Sequence, residues 1–236
     1  MNELKFVEFY LAKLENEPKK AELMEQLAFS YLSKNTDHES SLHWFTEAVE
    51  FDPSIENLTN LGWFLIEEYG TNTNKVKLTR TRKYKLATEA LKQAIQQEPK
   101  IETPYFVLAV AYYFQDNYDK AEENLRKAVM IQPNYFNQNL LGLLLFKKGR
   151  FEEASKYFYD AYYSQEDDFE MTEAYYSYGM CLEKLDRYEE AQAVSEILFP
   201  NDEMTFGDIE SDGVLIFDQE EPDLVLRCCF INCPIC

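Results

Sequence analysis

Large and small apolar residues are spaced along the chain in a way that predicts pairs of amphipathic helices. Leu141 and Gly142 form an adjacent large and small pair, and Ala154, Phe158 and Ala161 follow at helical intervals. Residues three or four positions apart share one face of a helix, so each such set predicts one buried stripe. The same order of residues begins at four other pairs: Leu27-Ala28, Leu61-Gly62, Leu108-Ala109 and Tyr178-Gly179. Five successive helix pairs are therefore predicted.

The helix pairs recur at a nearly constant interval. The small residues in the second helices, Ala87, Ala121, Ala154 and Ala191, are 34, 33 and 37 residues apart. Self-similarity at such a period is the signature of a helical repeat array. Small residues fall where the helices would cross, and prolines fall where several second helices would end. In these features the sequence resembles the tetratricopeptide repeat family over residues 21–200.

The resemblance implies an all-α fold, a right-handed superhelix of stacked helix-turn-helix repeats. Each repeat has apolar faces that only a neighbouring repeat can cover, so several must stack. The expected organisation is a capping helix in residues 1–20, repeats at 21–54, 55–101, 102–134, 135–171 and 172–200, and an acidic linker with a cysteine-rich tail at 201–236. Ser41 and Ser195 replace the usual residues of the first and last repeats, which predicts irregular packing at both ends.

The resemblance also implies a concave groove lined by the first helix of each repeat. The residues at the family's ligand-facing positions are mostly apolar: Phe29, Trp63, Ile66, Phe106, Val110, Tyr113, Asn139, Leu143, Phe146, Tyr176 and Met180. A contiguous apolar surface of this kind would bind a peptide or helix of a partner. The alternative is that the aromatic members of this set belong to the core. Chaperone tails, which some family members bind through Asn and Arg at these positions, are disfavoured ligands.

Charge narrows the classes of partner. The chain has 43 acidic and 23 basic residues and a formal net charge of −20, which argues against nucleic-acid binding because phosphate backbones require a basic surface. Six bases nevertheless cluster in residues 75–85, within a predicted insertion near 70–85. This segment is interpreted either as a solvated extension of a second helix or as an arm that recognises an anion.

The C-terminal tail concentrates the thiols of the chain. Four of the five cysteines, Cys228, Cys229, Cys233 and Cys236, fall in the last nine residues. This cluster could bind zinc or an iron–sulfur cluster, form a prenylation box, act as a redox pair or carry no group. Outside the cluster no cofactor is expected. The apolar runs 214–217 and 224–231 predict a β-hairpin, or a segment that packs on the last repeat or into the groove.

The remaining features point to a binding protein and not to an enzyme. The sequence contains no phosphate-binding glycine loop, nucleophile elbow or histidine-centred triad. The predicted function is an interaction scaffold that binds a protein or peptide partner in the apolar groove. The alternatives are a protein whose repeats present the metal- or thiol-carrying tail, and an acidic antagonist of a basic protein. Without an apolar run long enough to span a bilayer or to serve as a signal segment, a cytoplasmic location is expected. The oligomeric state stays open.

Overall fold

A computed structural model of the chain describes residues 20–33, 38–67, 79–164 and 171–198, and every regular element in these ranges is an α-helix. The all-α prediction is therefore confirmed. The helices are α1 (Lys20–Ser33), α2 (His38–Phe51), α3 (Ile55–Glu67), α4 (Arg80–Gln97), α5 (Thr103–Tyr113), α6 (Tyr118–Ile131), α7 (Tyr135–Lys147), α8 (Phe151–Tyr163), α9 (Met171–Lys184) and α10 (Tyr188–Leu198). The predicted capping helix and the predicted β-hairpin of the tail lie outside the described residues.

The chain divides into two compact units, Met1–Asn117 and Tyr118–Cys236. In the first unit α1 packs on α2, α3 packs on α4, and α4 also packs on α5. In the second unit α7 packs on α8, α8 on α9, and α9 on α10. Within each unit, helices that follow one another in sequence are thus neighbours in space, as the helix-pair pattern predicts.

Two glycines permit the closest helix crossings. A Cβ atom added to Gly142 of α7 would lie 2.8 Å from the ring of Phe158 on α8, and one added to Gly62 of α3 would lie 2.7 Å from Leu91 on α4. Real Cβ atoms essentially never approach so closely, so a side chain at either position would force its neighbour to shift. Phe158 is fully buried and fills the space that Gly142 leaves. This confirms the predicted role of the adjacent large and small residues.

The first repeat has a serine where the second helices of the other repeats have alanine. Ser41 is fully buried on α2, and its hydroxyl donates a hydrogen bond of 3.0 Å to the carbonyl oxygen of Ala28 on α1. A small residue that satisfies its own polar group can take the place of alanine at such a contact. Ser41 is thus accommodated at this contact, and the irregular packing expected at the two ends stays a prediction. Ser195 is also buried at the other end of the described repeats.

Three inter-helix turns end in the same backbone conformation. Asp116, Gly149 and Asp186 all have positive φ, at 56°, 73° and 58°. In each turn the next residue closes the helix end with a bond of 2.9 Å: Asn117 N–H to Tyr112 O, Arg150 N–H to Leu145 O, and Arg187 N–H to Leu182 O. Glycine is the common residue in this cap, but short polar residues also adopt the left-handed conformation. Two aspartates in this role help to explain why the chain contains so few glycines.

Two asparagines form hydrogen bonds between the starts of α3 and α7 and the loop that precedes each helix. The Asn57 side chain donates to the carbonyl oxygen of Asp52 at 2.8 Å, and the Asn137 side chain donates to that of Gln132, also at 2.8 Å. Both acceptors precede a proline, and both asparagines are buried near the start of a helix. The same bond therefore recurs in two repeats, although the hydrophobic pattern does not reveal it.

An ion cluster centred on Glu122 ties α6 to α8 and to the turn between α7 and α8. The Glu122 carboxylate, 12% exposed, accepts from Arg126 at 2.8 Å, from Lys148 at 2.7 Å and from Arg150 at 2.6 Å. Glu153 pairs with both Arg126 and Arg150. Burial by itself would raise the pKa of Glu122, but the three hydrogen bonds outweigh it and lower the pKa from 4.5 to about 2. The cluster thus favours the ionised carboxylate.

Replacing Gly142 with alanine should lower the free energy of unfolding by about 1–3 kcal/mol, because the new methyl group would overlap the Phe158 ring. Urea unfolding monitored by circular dichroism would measure the loss. Gly149→Asn is the matched control, since Gly149 has open space around it and asparagine tolerates its positive φ. Adding Phe158→Leu to Gly142→Ala should cost less than the sum of the single changes. Full stability of Gly142→Ala would show that the crossing is not tight.

Glu122→Gln should destabilise the protein at neutral pH and lose this effect in acid. The folded pKa lies below the ordinary value of 4.5, so the stabilisation is complete above that value and disappears as the pH falls towards 2. Urea midpoints of the wild type and variant should therefore differ above about pH 5 and converge in stronger acid. The control is Glu123→Gln, since Glu123 is largely exposed and pairs with Lys127 outside the cluster. Equal midpoints at neutral pH would contradict the stabilising role.

Candidate functional site

The structure buries most of the predicted groove residues. Three of the eleven are partly buried: Phe29, Tyr113 and Phe146. The other eight are buried: Trp63, Ile66, Phe106, Val110, Asn139, Leu143, Tyr176 and Met180. The apolar stripe predicted on the first helices is therefore not an open surface in this conformation.

In the first unit, the large groove residues pack against one another. Trp63 of α3 is 3% exposed, and its ring stacks on Phe106 of α5 with centroids 6.3 Å apart and planes inclined at 28°. Phe29 of α1 makes an edge contact of 5.0 Å with Phe45 of α2. These contacts favour the core interpretation of Trp63 and Phe106. Truncating either ring would therefore reduce stability as well as any binding.

One carboxylate lies beside this apolar stripe. Glu25, four positions before Phe29 on α1, accepts a hydrogen bond from the Asn60 side chain on α3. Burial raises the pKa of Glu25, the bond from Asn60 opposes the rise, and the nearby charges of Glu56 and Glu22 add to it. The first unit thus keeps a partly desolvated acceptor next to apolar side chains.

In the second unit, the inner helix α7 carries two buried oxygen atoms without a hydrogen bond. Asn139 is 2% exposed, and neither its side-chain oxygen nor that of the adjacent Gln138 has a partner within the part of the chain that the structure describes. An unpaired buried acceptor costs about 1–3 kcal/mol. Sequence reasoning placed Asn139 on the groove face but did not foresee that its carbonyl would be unsatisfied.

The other groove residues of the second unit surround α9. Tyr176 and Met180 belong to a core cluster with Leu182, and Phe146 of α7 packs against this cluster. Leu143, one helical turn after Asn139, is also buried. The structure therefore brings α7 and α9 together. Asn139 is a buried polar residue of α7.

The predicted metal site cannot be located, because Cys228, Cys229, Cys233 and Cys236 lie outside the described residues. Among the residues that the structure describes, no group of three His, Cys, Asp or Glu side chains could hold a metal ion. Cys181 is buried on α9, and burial raises the pKa of its thiol.

The described part of the basic segment forms the beginning of α4. Thr79 precedes the helix and accepts a hydrogen bond of 3.4 Å from the backbone N–H of Arg82. Lys85 is exposed and lies 3.9 Å from Glu89 one turn later. This arrangement corresponds to a solvated helical extension. Residues 68–78 lie outside the described part.

Within the described ranges, no helix combines the length and the apolar character that crossing a bilayer requires.

Comparison with known proteins identifies the repeat. Two family models described as "Tetratricopeptide repeat" match residues 78–144 and 139–203, and together they span more than half of the chain. No curated protein matches the sequence significantly.

Solved structures with the same fold differ widely from this chain in sequence. PilF of Pseudomonas aeruginosa is 15% identical with a TM-score of 0.64, and the match covers 89% of this chain and 96% of PilF. MamA is 16% identical with a TM-score of 0.61 over 84% of this chain and 97% of MamA. A thermophilic tetratricopeptide repeat protein of Thermus thermophilus is 17% identical with a TM-score of 0.57 over 79% of this chain and 89% of that protein. At these identities the likeness concerns the fold alone. The repeat spacing, the glycine crossings and the two family models together show that the chain belongs to the tetratricopeptide repeat family.

Proposed function

We propose that the chain is a protein-interaction scaffold that binds an apolar segment of a partner protein on the inner face of α7 and α9. Tetratricopeptide repeats act as interaction scaffolds, which supports the general role. The observation that carries the specific proposal is the buried, unpaired side-chain oxygen of Asn139. A hydrogen-bond donor of the partner would satisfy it, and the neighbouring Leu143 would contact apolar groups of the same segment.

The proposed partner segment supplies donors as well as apolar side chains. Both Asn139 and Gln138 present unpaired oxygen atoms within the described part of the chain. Backbone N–H groups of an extended peptide, or the side chains of basic residues, would meet this requirement. The net charge of −20 favours a basic partner over an acidic one, because it attracts cationic segments at long range.

A partner can reach Asn139 only if the groups that cover this residue move, since Asn139 is only 2% exposed. We propose that the C-terminal tail, residues 201–236, competes with the partner for this face. The tail follows α10 by a few residues, and its runs 214–217 and 224–231 are apolar. An extended chain spans roughly 3.3 Å per residue, so the tail is long enough to reach any surface of the second unit.

Asn139→Leu should weaken peptide binding while increasing stability. The near-isosteric leucine removes an unsatisfied buried oxygen, which should raise the free energy of unfolding by about 1 kcal/mol. The same change deletes the acceptor for the partner, so affinity should fall about fivefold. Peptides selected from a random display library on the full chain, measured by fluorescence anisotropy, provide the binding assay, and urea unfolding provides the stability.

Asn137→Leu is the matched control, since Asn137 is on the same helix and equally buried but donates to Gln132. It should lower stability and leave the affinity of the folded protein unchanged. Unchanged peptide affinity in Asn139→Leu would refute binding at this face. Truncation after Pro200 should increase peptide affinity, and equal affinity of the intact and truncated chains would refute competition by the tail.

The alternative function, a tail that carries metal, rests on the clustering of four cysteines and stays a prediction. Protein purified under reducing, anaerobic conditions should then contain close to one equivalent of zinc, or an iron–sulfur cluster, by elemental analysis. Truncation after Arg227 removes all four cysteines of the cluster and should abolish the metal content. Absence of metal from the intact chain would exclude this function.

A further inference from the structure

Five tyrosines of the second unit form a connected cluster on α8 and α9, and none of the five is among the residues predicted to line the groove. Tyr162 and Tyr175 stack with ring centroids 4.1 Å apart, and Tyr175 stacks on Tyr178 at 5.9 Å. Tyr159 contacts Tyr178 at 5.4 Å and Tyr163 at 4.6 Å, and Tyr163 contacts Tyr162 at 4.8 Å. The contacts thus close a ring of five side chains.

One side of the tyrosine cluster is buried and the other side is exposed. Tyr175 is part of the core of the second unit, and Tyr162 and Tyr178 pack against that core. Tyr159 and Tyr163, in contrast, are 43% and 61% exposed. Exposed aromatic side chains are costly to leave in water. Because neighbouring rings hold this surface rigid, it loses little conformational entropy when it binds a ligand.

Three hydroxyl groups of the cluster have a raised pKa. A hydrogen bond with Tyr163 raises the pKa of Tyr159, and burial raises the pKa values of Tyr175 and Tyr178. The rings therefore present neutral aromatic faces, whose negative quadrupole attracts cations.

Three acidic side chains lie near the rings of Tyr159 and Tyr178. Asp160 lies close enough to Tyr159 to perturb its hydroxyl, and Glu152 and Glu190 do the same for Tyr178. Anionic ligands such as phosphate would be repelled, whereas a cationic group would be attracted by both the rings and the carboxylates.

The chain itself already places one guanidinium at the edge of this cluster. Arg187 acts on Tyr178 electrostatically and makes a two-point ion pair with Glu190, with both distances 2.7 Å. Its guanidinium also lies 3.8 Å from Glu152. A planar guanidinium suits such a setting because it stacks on aromatic faces and pairs with carboxylates in two-point geometry, which an ammonium group does not.

From these observations we infer that the exposed face formed by Tyr159 and Tyr163 binds arginine side chains of a basic segment in a partner protein. The rings supply cation–π contacts, Asp160 supplies a carboxylate, and the buried tyrosines hold the surface in place. This surface is formed by Tyr159, Asp160 and Tyr163 and not by Asn139 or Leu143, so substitutions can test the two surfaces separately.

Peptide binding distinguishes this surface from the general acidity of the chain. The probe is a fluorescein-labelled peptide of alternating arginine and glycine, compared with peptides that carry lysine or the neutral isostere citrulline instead. The full-length chain should bind the arginine peptide most tightly, the lysine peptide more weakly and the citrulline peptide least. The double change Tyr159→Ser with Tyr163→Ser should reduce affinity for the arginine peptide about tenfold.

Three further variants separate ring, charge and fold effects. Tyr188→Ser is the matched control, since Tyr188 is 63% exposed in the same unit but bonds to Asp186 outside the cluster, and it should bind normally. Tyr159→Phe with Tyr163→Phe keeps the aromatic faces and should retain most of the affinity. Asn139→Leu should bind the arginine peptide as the wild type does.

The inference fails if the double serine variant, with an unchanged circular dichroism spectrum and melting temperature, binds the arginine peptide with wild-type affinity. It also fails if the arginine and lysine peptides bind equally and both bindings vanish in moderate salt, because that result would mean attraction by net charge alone. If the double serine variant has a lower melting temperature, the variant Tyr159→Phe with Tyr163→Phe provides the test instead. Loss of arginine-peptide binding in that variant would overturn the cation–π assignment.

Discussion

The close contact between helices at positions that hold small residues is the constraint on which the repeats depend. At Gly142 the ring of Phe158 occupies the space that a side chain would need, and Leu91 does the same at Gly62. Because the helices approach so closely, the large residues on either side of the contact pack into continuous cores. Ser41 shows that the constraint concerns size and polar satisfaction and not a particular residue, since its hydroxyl finds an acceptor across the helix pair.

The helix pairs could be predicted from the sequence because their signal is periodic and local. The polar contacts could not be predicted from the sequence in this way. Asn57 and Asn137 look like ordinary polar residues in the pattern, and only the folded loop brings the acceptor carbonyl to them. The ion cluster around Glu122 joins residues that are up to 28 positions apart, so a charge count alone cannot assign its pairs. The sequence pattern also does not reveal that Asp116 and Asp186 share a left-handed backbone conformation.

The candidate sites, like the fold, could be predicted from the sequence only in part. The family pattern placed Trp63, Phe106 and Asn139 on one face. Whether these residues are exposed depends on the neighbouring helices and segments that cover them. The sequence of a single helix does not determine that covering. Burial of Trp63 and Phe106 turned an expected contact surface into packing, whereas burial of Asn139 left an acceptor unsatisfied. The tyrosine cluster was missed because its members lie at positions that the family pattern does not associate with ligands. A search for aromatic residues four apart on α8, such as Tyr159 and Tyr163, would have found it.

The repeated turn closures have a consequence for how the chain folds. Each turn at Asp116, Gly149 and Asp186 is closed by a hydrogen bond between residues five apart in sequence. After the turns at Gly149 and Asp186, the following helix packs back on the one before it. Such contacts are local, and the chain forms them without first closing long loops. Domains with low contact order fold in microseconds to milliseconds, and their helix pairs can begin to form while later repeats are still being synthesised.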